Sequence, residues 1–98
     1  MTAGLPVDVS DGASITVRYW GSARAAAGVE SESVEARDLA DLLDQIDRRH
    51  RDRERFRDVI GCCAILVGDL PVGERDPATV RLAAGDRVDL LPPMAGGA

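Results

Sequence analysis

The stretch D-L-A-D-L-L-D-Q-I-D-R-R-H, residues Asp38 to His50, carries the strongest periodic signal in the chain. Leu39, Leu42, Leu43 and Ile46 fall at i, i+3, i+4 and i+7 and therefore share one face of an α-helix. Asp38 stands just before them as an N-cap, and Asp41 follows in the first turn, where negative charge complements the helix dipole. Asp44 with Arg48, and Asp47 with Arg51, form acid-to-base pairs at i, i+4 on the outer side. The helix is expected to end near His50, because the run Arg48-Arg49-His50-Arg51-Asp52-Arg53-Glu54-Arg55 offers no apolar face to bury.

Upstream of this helix the pattern switches to a period of two. Ile15, Val17 and Tyr19 alternate with Thr16, Arg18 and Trp20 up to Gly21, which predicts a first strand starting at Ser14. The alanine-rich segment Ser22 to Gly28 reads as a connection or a single helical turn. A weaker alternation from Val29 to Ala36, with Glu30, Glu32 and Glu35 interleaved, predicts a second strand with one wet face, so the two make a hairpin.

Downstream, the continuously apolar run Cys62 to Val67 predicts a strand buried on both faces. Gly68-Asp69 is a two-residue turn, Leu70 to Val72 a short returning strand, and Gly73 to Pro77 a loop. Gly85-Asp86 makes the next turn, and Arg87 to Leu91 is the last strand, stopped by Pro92. Strands on both sides of one good helix predict an α+β domain, a mixed sheet of four to five strands with one main helix packed across it.

The length of 98 residues fits one domain with one core. Three segments are expected: a flexible N-terminal extension over 1–13, the folded domain over 14–93, and a flexible tail over 94–98. The net charge is -5, and all twelve basic residues are arginine. This balance disfavours nucleic acid and anionic membrane as partners. No stretch reaches the length of a membrane span, and the N-terminal residues given lack the basic and apolar regions of a signal peptide, so the expected compartment is cytoplasmic.

Cys62 and Cys63 are neighbours and cannot staple distant segments to each other, so they read as small apolar side chains on opposite faces of a strand. His50 is the sole histidine, which leaves no metal-ligand spacing. It reads as a helix-end residue, because the sequence places no Ser, Cys or carboxylate to work with it. The basic run after it reads as a solvated helix end and loop, with docking of an acidic partner as the alternative.

The end of the chain, Leu-Leu-Pro-Pro-Met-Ala-Gly-Gly-Ala over residues 90–98, is unusual for a domain with no other site. Pro92-Pro93 favours an extended exit from the last strand. Gly96 and Gly97 carry no Cβ, so the backbone can enter a slot too narrow for a side chain, at an ordering cost of about 1–2 kcal/mol per residue. The group such a tail delivers is a carboxylate, which needs activation before a nucleophile can attack it. Nothing in the chain can activate it, so an ATP-using partner is implied. A loose terminus of small residues without function is the competing reading.

The segment Gly85-Asp86-Arg87-Val88-Asp89-Leu90-Leu91-Pro92-Pro93-Met94-Ala95-Gly96-Gly97 resembles the end of the MoaD branch of the MoaD/ThiS sulfur-carrier proteins. Supporting similarity runs from Ile15 to Gly21, through Ala25 to Gly28 and the helix at Asp38 to His50, to Ile65 to Gly68. The resemblance implies a β-grasp, ubiquitin-like fold and a sulfur-donor small subunit of a molybdopterin synthase, without catalytic machinery or a tightly bound cofactor of its own. It implies that an E1-like (MoeB/ThiF-like) enzyme uses ATP to adenylate the terminal glycine, that a thiocarboxylate follows, and that a MoaE-like large subunit receives the tail. By position, Gly97 would be the acyl carbon. Met94, Ala95 and Gly96 would line the partner's channel, with Leu91, Pro92 and Pro93 at its mouth. The family pattern usually ends at the second glycine, whereas Ala98 follows here, so a peptidase removing Ala98 is expected, with a recombinant remnant or a nonfunctional paralogue as the alternative. Sulfur delivery to cysteine, thiamin or a specialised metabolite, ubiquitin-like modification of proteins, and a noncovalent binding module are the alternatives.

Overall fold

The computed structural model describes residues 12–93. Its elements run β1 (Ala13–Tyr19), α1 (Gly21–Ala27), β2 (Ser31–Ala36), α2 (Leu39–Arg49), α3 (Phe56–Gly61), β3 (Ala64–Val67), β4 (Leu70–Pro71), a 3-10 turn (Pro77–Thr79) and β5 (Arg87–Leu91). Five strands form one sheet in the order β2-β1-β5-β3-β4. The central pair, β1 and β5, is parallel, with Thr16 opposite Arg87 and Tyr19 opposite Leu90. The β1–β2, β3–β5 and β3–β4 pairs are antiparallel. The first and last strands therefore lie side by side at the centre of the sheet, and the main helix belongs to the connection between them. This is the β-grasp arrangement.

Helix α2 forms as its spacing predicts. Leu39, Leu42 and Ile46 are fully buried, each contributing about 1.5–3 kcal/mol by burial, and Leu43 packs at the margin. The Asp38 carboxylate accepts the Asp41 N–H at 2.8 Å, closing the first turn. Asp44 pairs with Arg48. Asp47 does not take Arg51; it pairs with Arg57 of α3 at 2.8 Å instead.

Helix α3 is absent from the sequence reading, and its presence moves the boundaries around it. Phe56 is buried, and Val59, Ile60 and Cys63 pack against the core, which is the i, i+3, i+4, i+7 pattern again. Cys62 ends this helix and is exposed; Cys63 follows it, and β3 begins only at Ala64. The two cysteines are thus not on opposite faces of a strand. Nor is β3 buried on both faces: Ile65 and Val67 pack on the core, whereas Ala64 is exposed and Leu66 lies outside the core cluster. The physical reason is that the helices cover one face of the sheet, and β3 is flanked on one side by a strand of two residues.

Smaller differences follow the same logic. β1 starts at Ala13, one residue earlier than read, because Ala13 pairs with Ala36. β2 starts at Ser31, after a turn holding the exposed Val29. Glu32, expected on a wet face, shares the inner side of β2 with the buried Val34 and Ala36. The expected extension lies outside the described residues apart from 12–13, and the expected tail lies wholly outside them.

Candidate functional site: the exit of the last strand

Strand β5 is held on both edges, with Val88 and Leu90 fully buried beneath it. At its end Leu91 lies opposite Ala64 of β3, while the Trp20 N–H donates to the Leu90 carbonyl at 3.2 Å. Pro92 then packs on Gly21: a Cβ built there would sit 3.3 Å from Pro92 Cγ, and Gly21 has a φ of +50°. Only glycine meets both demands without strain. Leu91 and Pro92 are half-buried and Pro93 is exposed, so the chain leaves a fixed point at the end of the central strand. Met94, Ala95, Gly96, Gly97 and Ala98 lie outside the described residues.

The sheet face away from the helices carries a polar cluster beside this exit. Asp89 is buried at 5% exposure, on the side of β5 opposite Val88 and Leu90. Its Oδ1 accepts the Trp20 indole N–H at 3.0 Å and its Oδ2 accepts Arg87 Nε–H at 2.9 Å. Arg18 Nε lies 3.6 Å from Oδ1, and the Arg18 guanidinium lies 4.8 Å from the centre of the Trp20 ring. The hydrogen bond to Asp89, and then its charge, raise the Arg87 guanidinium above its ordinary value. Asp69 touches Arg87 at 3.4 Å but is almost fully exposed and adds little.

A second cluster lies on the core side. The Glu32 carboxylate accepts the Tyr19 hydroxyl at 2.5 Å and Arg49 at 2.9 Å, and His50 Nε2 lies 2.7 Å from its Oε2. His50 also packs on Phe56, with ring centres 4.6 Å apart, and edge-on to Tyr19. Burial works against ionisation of Glu32, but the bonds from Tyr19, His50 and Arg49 outweigh it and hold the carboxyl below its ordinary value. Burial, and then the Glu32 carboxylate, push the Tyr19 hydroxyl well above its ordinary range. His50 therefore does have a carboxylate partner, contrary to the sequence reading. The group is closed in by Tyr19, at 2% exposure, and braces β1, β2 and the end of α2. Nothing in the sequence links Glu32 to a histidine 18 residues away.

Cys63 does not offer an activated thiol. Burial, and then Cys62, push the Cys63 thiol up to about 11, and its Sγ donates to the Val59 carbonyl at 3.3 Å. Among the described residues no group of His, Cys, Asp and Glu side chains is placed to hold a metal ion, and no helix is long and apolar enough to cross a membrane. In the basic run, Arg48 and Arg49 are paired with Asp44 and Glu32, while Arg51, Arg53 and Arg55 remain exposed.

Comparison with known proteins agrees with this geometry. The ThiS family model matches residues 17–97. No curated protein sequence matches the chain significantly. Among solved structures, small archaeal modifier protein 1 from Methanosarcina acetivorans superposes with a TM-score of 0.73 at 20% identity, covering 88% of this chain and 98% of its own. A chain from the complex of subunits 1 and 2 of the molybdopterin-converting factor of Helicobacter pylori gives 0.62 at 28% identity, covering 86% and 99%. A protein described as molybdopterin converting factor subunit 1 from Pyrococcus furiosus gives 0.66 at 26% identity, covering 84% and 99%. The match of the family model over residues 17–97, on a chain folded as a β-grasp sheet, places this chain in the ThiS family of ubiquitin-like sulfur carriers.

Proposed function

We propose that the chain carries sulfur on the carboxyl of Gly97, for transfer to the molybdopterin precursor. In this reading an E1-like enzyme lets the Gly97 carboxylate attack the α-phosphate of ATP, releasing pyrophosphate and leaving an acyl-AMP, and hydrosulfide then displaces AMP at the carbonyl carbon to leave a thiocarboxylate. Ala98 blocks the carboxyl as an amide, so a peptidase removes it first. Met94, Ala95 and Gly96 thread the partner's channel, and Leu91, Pro92 and Pro93 sit at its mouth. The chain supplies the handle and its alignment; ATP and catalysis belong to the partner.

The observation that carries this reading is the anchored exit. A tail that must reach a distant active site gains from a fixed origin, because each ordered residue costs about 1–2 kcal/mol. Leu90 bonded to Trp20, and Pro92 seated on Gly21, supply that origin. The molybdopterin direction is supported by the Helicobacter and Pyrococcus relatives, each above a quarter identical, and a MoaE-like large subunit by the Helicobacter complex.

The test is to incubate the 98-residue chain, and a form ending at Gly97, with the adenylating enzyme, ATP and a sulfur source. Thiocarboxylate is expected on the Gly97-ended form alone. Equal product from both removes the trimming step, and product from neither refutes the carrier reading. Higher-mass adducts on a blot from the source cell would point to a protein modifier instead.

A further inference from the structure

The sheet ends in β2 on one side and β4 on the other, and a strand edge presents backbone groups with which another chain can pair. The Tyr19 N–H donates to the Glu30 carbonyl, so along β2 the backbones of Glu30, Glu32 and Val34 face β1. Those of Ser31, Ser33 and Glu35, and of Arg37 just beyond the strand, face outward. Three of these outward carbonyls in succession are already taken. Arg49 Nη1–H donates to the Ser33 carbonyl at 3.0 Å, Gln45 Nε2–H to the Glu35 carbonyl at 2.6 Å, and the Leu82 N–H to the Arg37 carbonyl at 3.0 Å. The two side-chain donors stand four residues apart on α2, a rise of about 6 Å, which matches the step of about 7 Å between alternate residues of a strand.

The other edge is closed by different means. The Val72 N–H donates to the Ile65 carbonyl, so Pro71 is the outward residue of β4. Proline has no N–H to offer, and its carbonyl accepts Arg75 Nη2–H at 3.2 Å. β4 is also only two residues long, whereas the six residues of β2 are enough to template a further strand. The edge that needs guarding is therefore β2. A second copy of this chain fits it best, because β2 laid antiparallel on β2 about a twofold axis is self-complementary, with outward N–H groups meeting outward carbonyls.

We propose that Gln45 and Arg49 of α2 hold the β2 edge shut against a second copy of this chain, by occupying the carbonyls that such a pairing needs. This role is separate from the tail and stands independently of the carrier reading.

The test is self-association of the full chain, read by sedimentation equilibrium, together with backbone hydrogen exchange read by NMR. Gln45→Met/Arg49→Met keeps good helix formers and removes both donors. It is expected to self-associate about tenfold or more tightly than the unaltered chain, with its circular dichroism spectrum unchanged. The N–H groups of Ser33 and Glu35 are expected to exchange quickly in the unaltered chain and to slow with rising concentration in the variant. Gln45→Ala, which leaves Arg49 and the Glu32 cluster in place, is expected to do the same to a lesser degree, and decides the matter if the double variant does not fold. Arg48→Met, which removes a charge from the neighbouring position without touching the edge, is expected to associate no more than the unaltered chain. Folded variants at Gln45 and Arg49 that remain as monomeric as the unaltered chain overturn the proposal. So does association that slows exchange elsewhere than in β2, equal association by Arg48→Met, or an unaltered chain already paired along β2.

Discussion

Replacing Glu32 with alanine is expected to destabilise the fold by about 2–4 kcal/mol, because it leaves the buried Tyr19 hydroxyl and the largely buried His50 ring without their common partner. The magnitude comes from the two inner bonds. An unmet buried donor costs about 1–3 kcal/mol, and a hydrogen bond to a charged group contributes about 1.5–3 kcal/mol. The Arg49 bond adds little, since its side chain is 41% exposed and solvent screens it. For a domain of this length, each kcal/mol moves the thermal midpoint by roughly 4–8 °C, so a drop on the order of 10 °C or more is expected. Urea unfolding of Glu32→Ala, Tyr19→Phe and the double variant isolates the bond itself. Because Tyr19→Phe removes the orphaned hydroxyl, the double variant should be more stable than the sum of the single losses by about 1–2 kcal/mol. Strict additivity, or a loss below about 0.5 kcal/mol for Glu32→Ala, would refute the claim that the cluster braces β1 against α2.

Three other outcomes follow. Since the folded carboxyl of Glu32 lies below its ordinary value, its contribution is present above the unfolded pKa of about 4.3 and is lost as pH falls through the folded value. Stability should therefore drop on acidification more steeply in the unaltered chain than in Glu32→Gln; parallel curves from urea melts between pH 7 and pH 3 would count against this. Gly21→Ala should cost about 1–2 kcal/mol for the positive φ, with a further penalty from the Pro92 ring, and thermal melts should show it while Gly61→Ala, in open space, costs less. Iodoacetamide at pH 8 should label Cys62 well before Cys63, whose thiol is pushed up to about 11, and peptide mass spectrometry reads the order directly.

What the sequence makes legible is whatever announces itself by local spacing. Leu39 to Ile46 repeats on one helical face, Ile15 to Trp20 alternates, and Pro92 stops β5; each feature is set by neighbours within a turn or a strand, and each appears where expected. What escapes is decided by groups far apart in the chain. The helical spacing of Phe56, Val59, Ile60 and Cys63 runs straight into the apolar stretch of β3, so one continuous run conceals two elements of different period. Asp47 had two arginines to choose from, and only the fold of α3 brings Arg57 nearer than Arg51. Asp89 lies within the expected last strand, and nothing local reveals that Arg18 and Trp20, some 70 positions earlier, gather around it. Glu32 is the same case on the other face.

Intact mass spectrometry of the protein purified from its native cell tests the central claim most directly. The account predicts a population ending at Gly97, with one carboxyl oxygen replaced by sulfur. A terminus that keeps Ala98 and an ordinary carboxylate under every growth condition would contradict it.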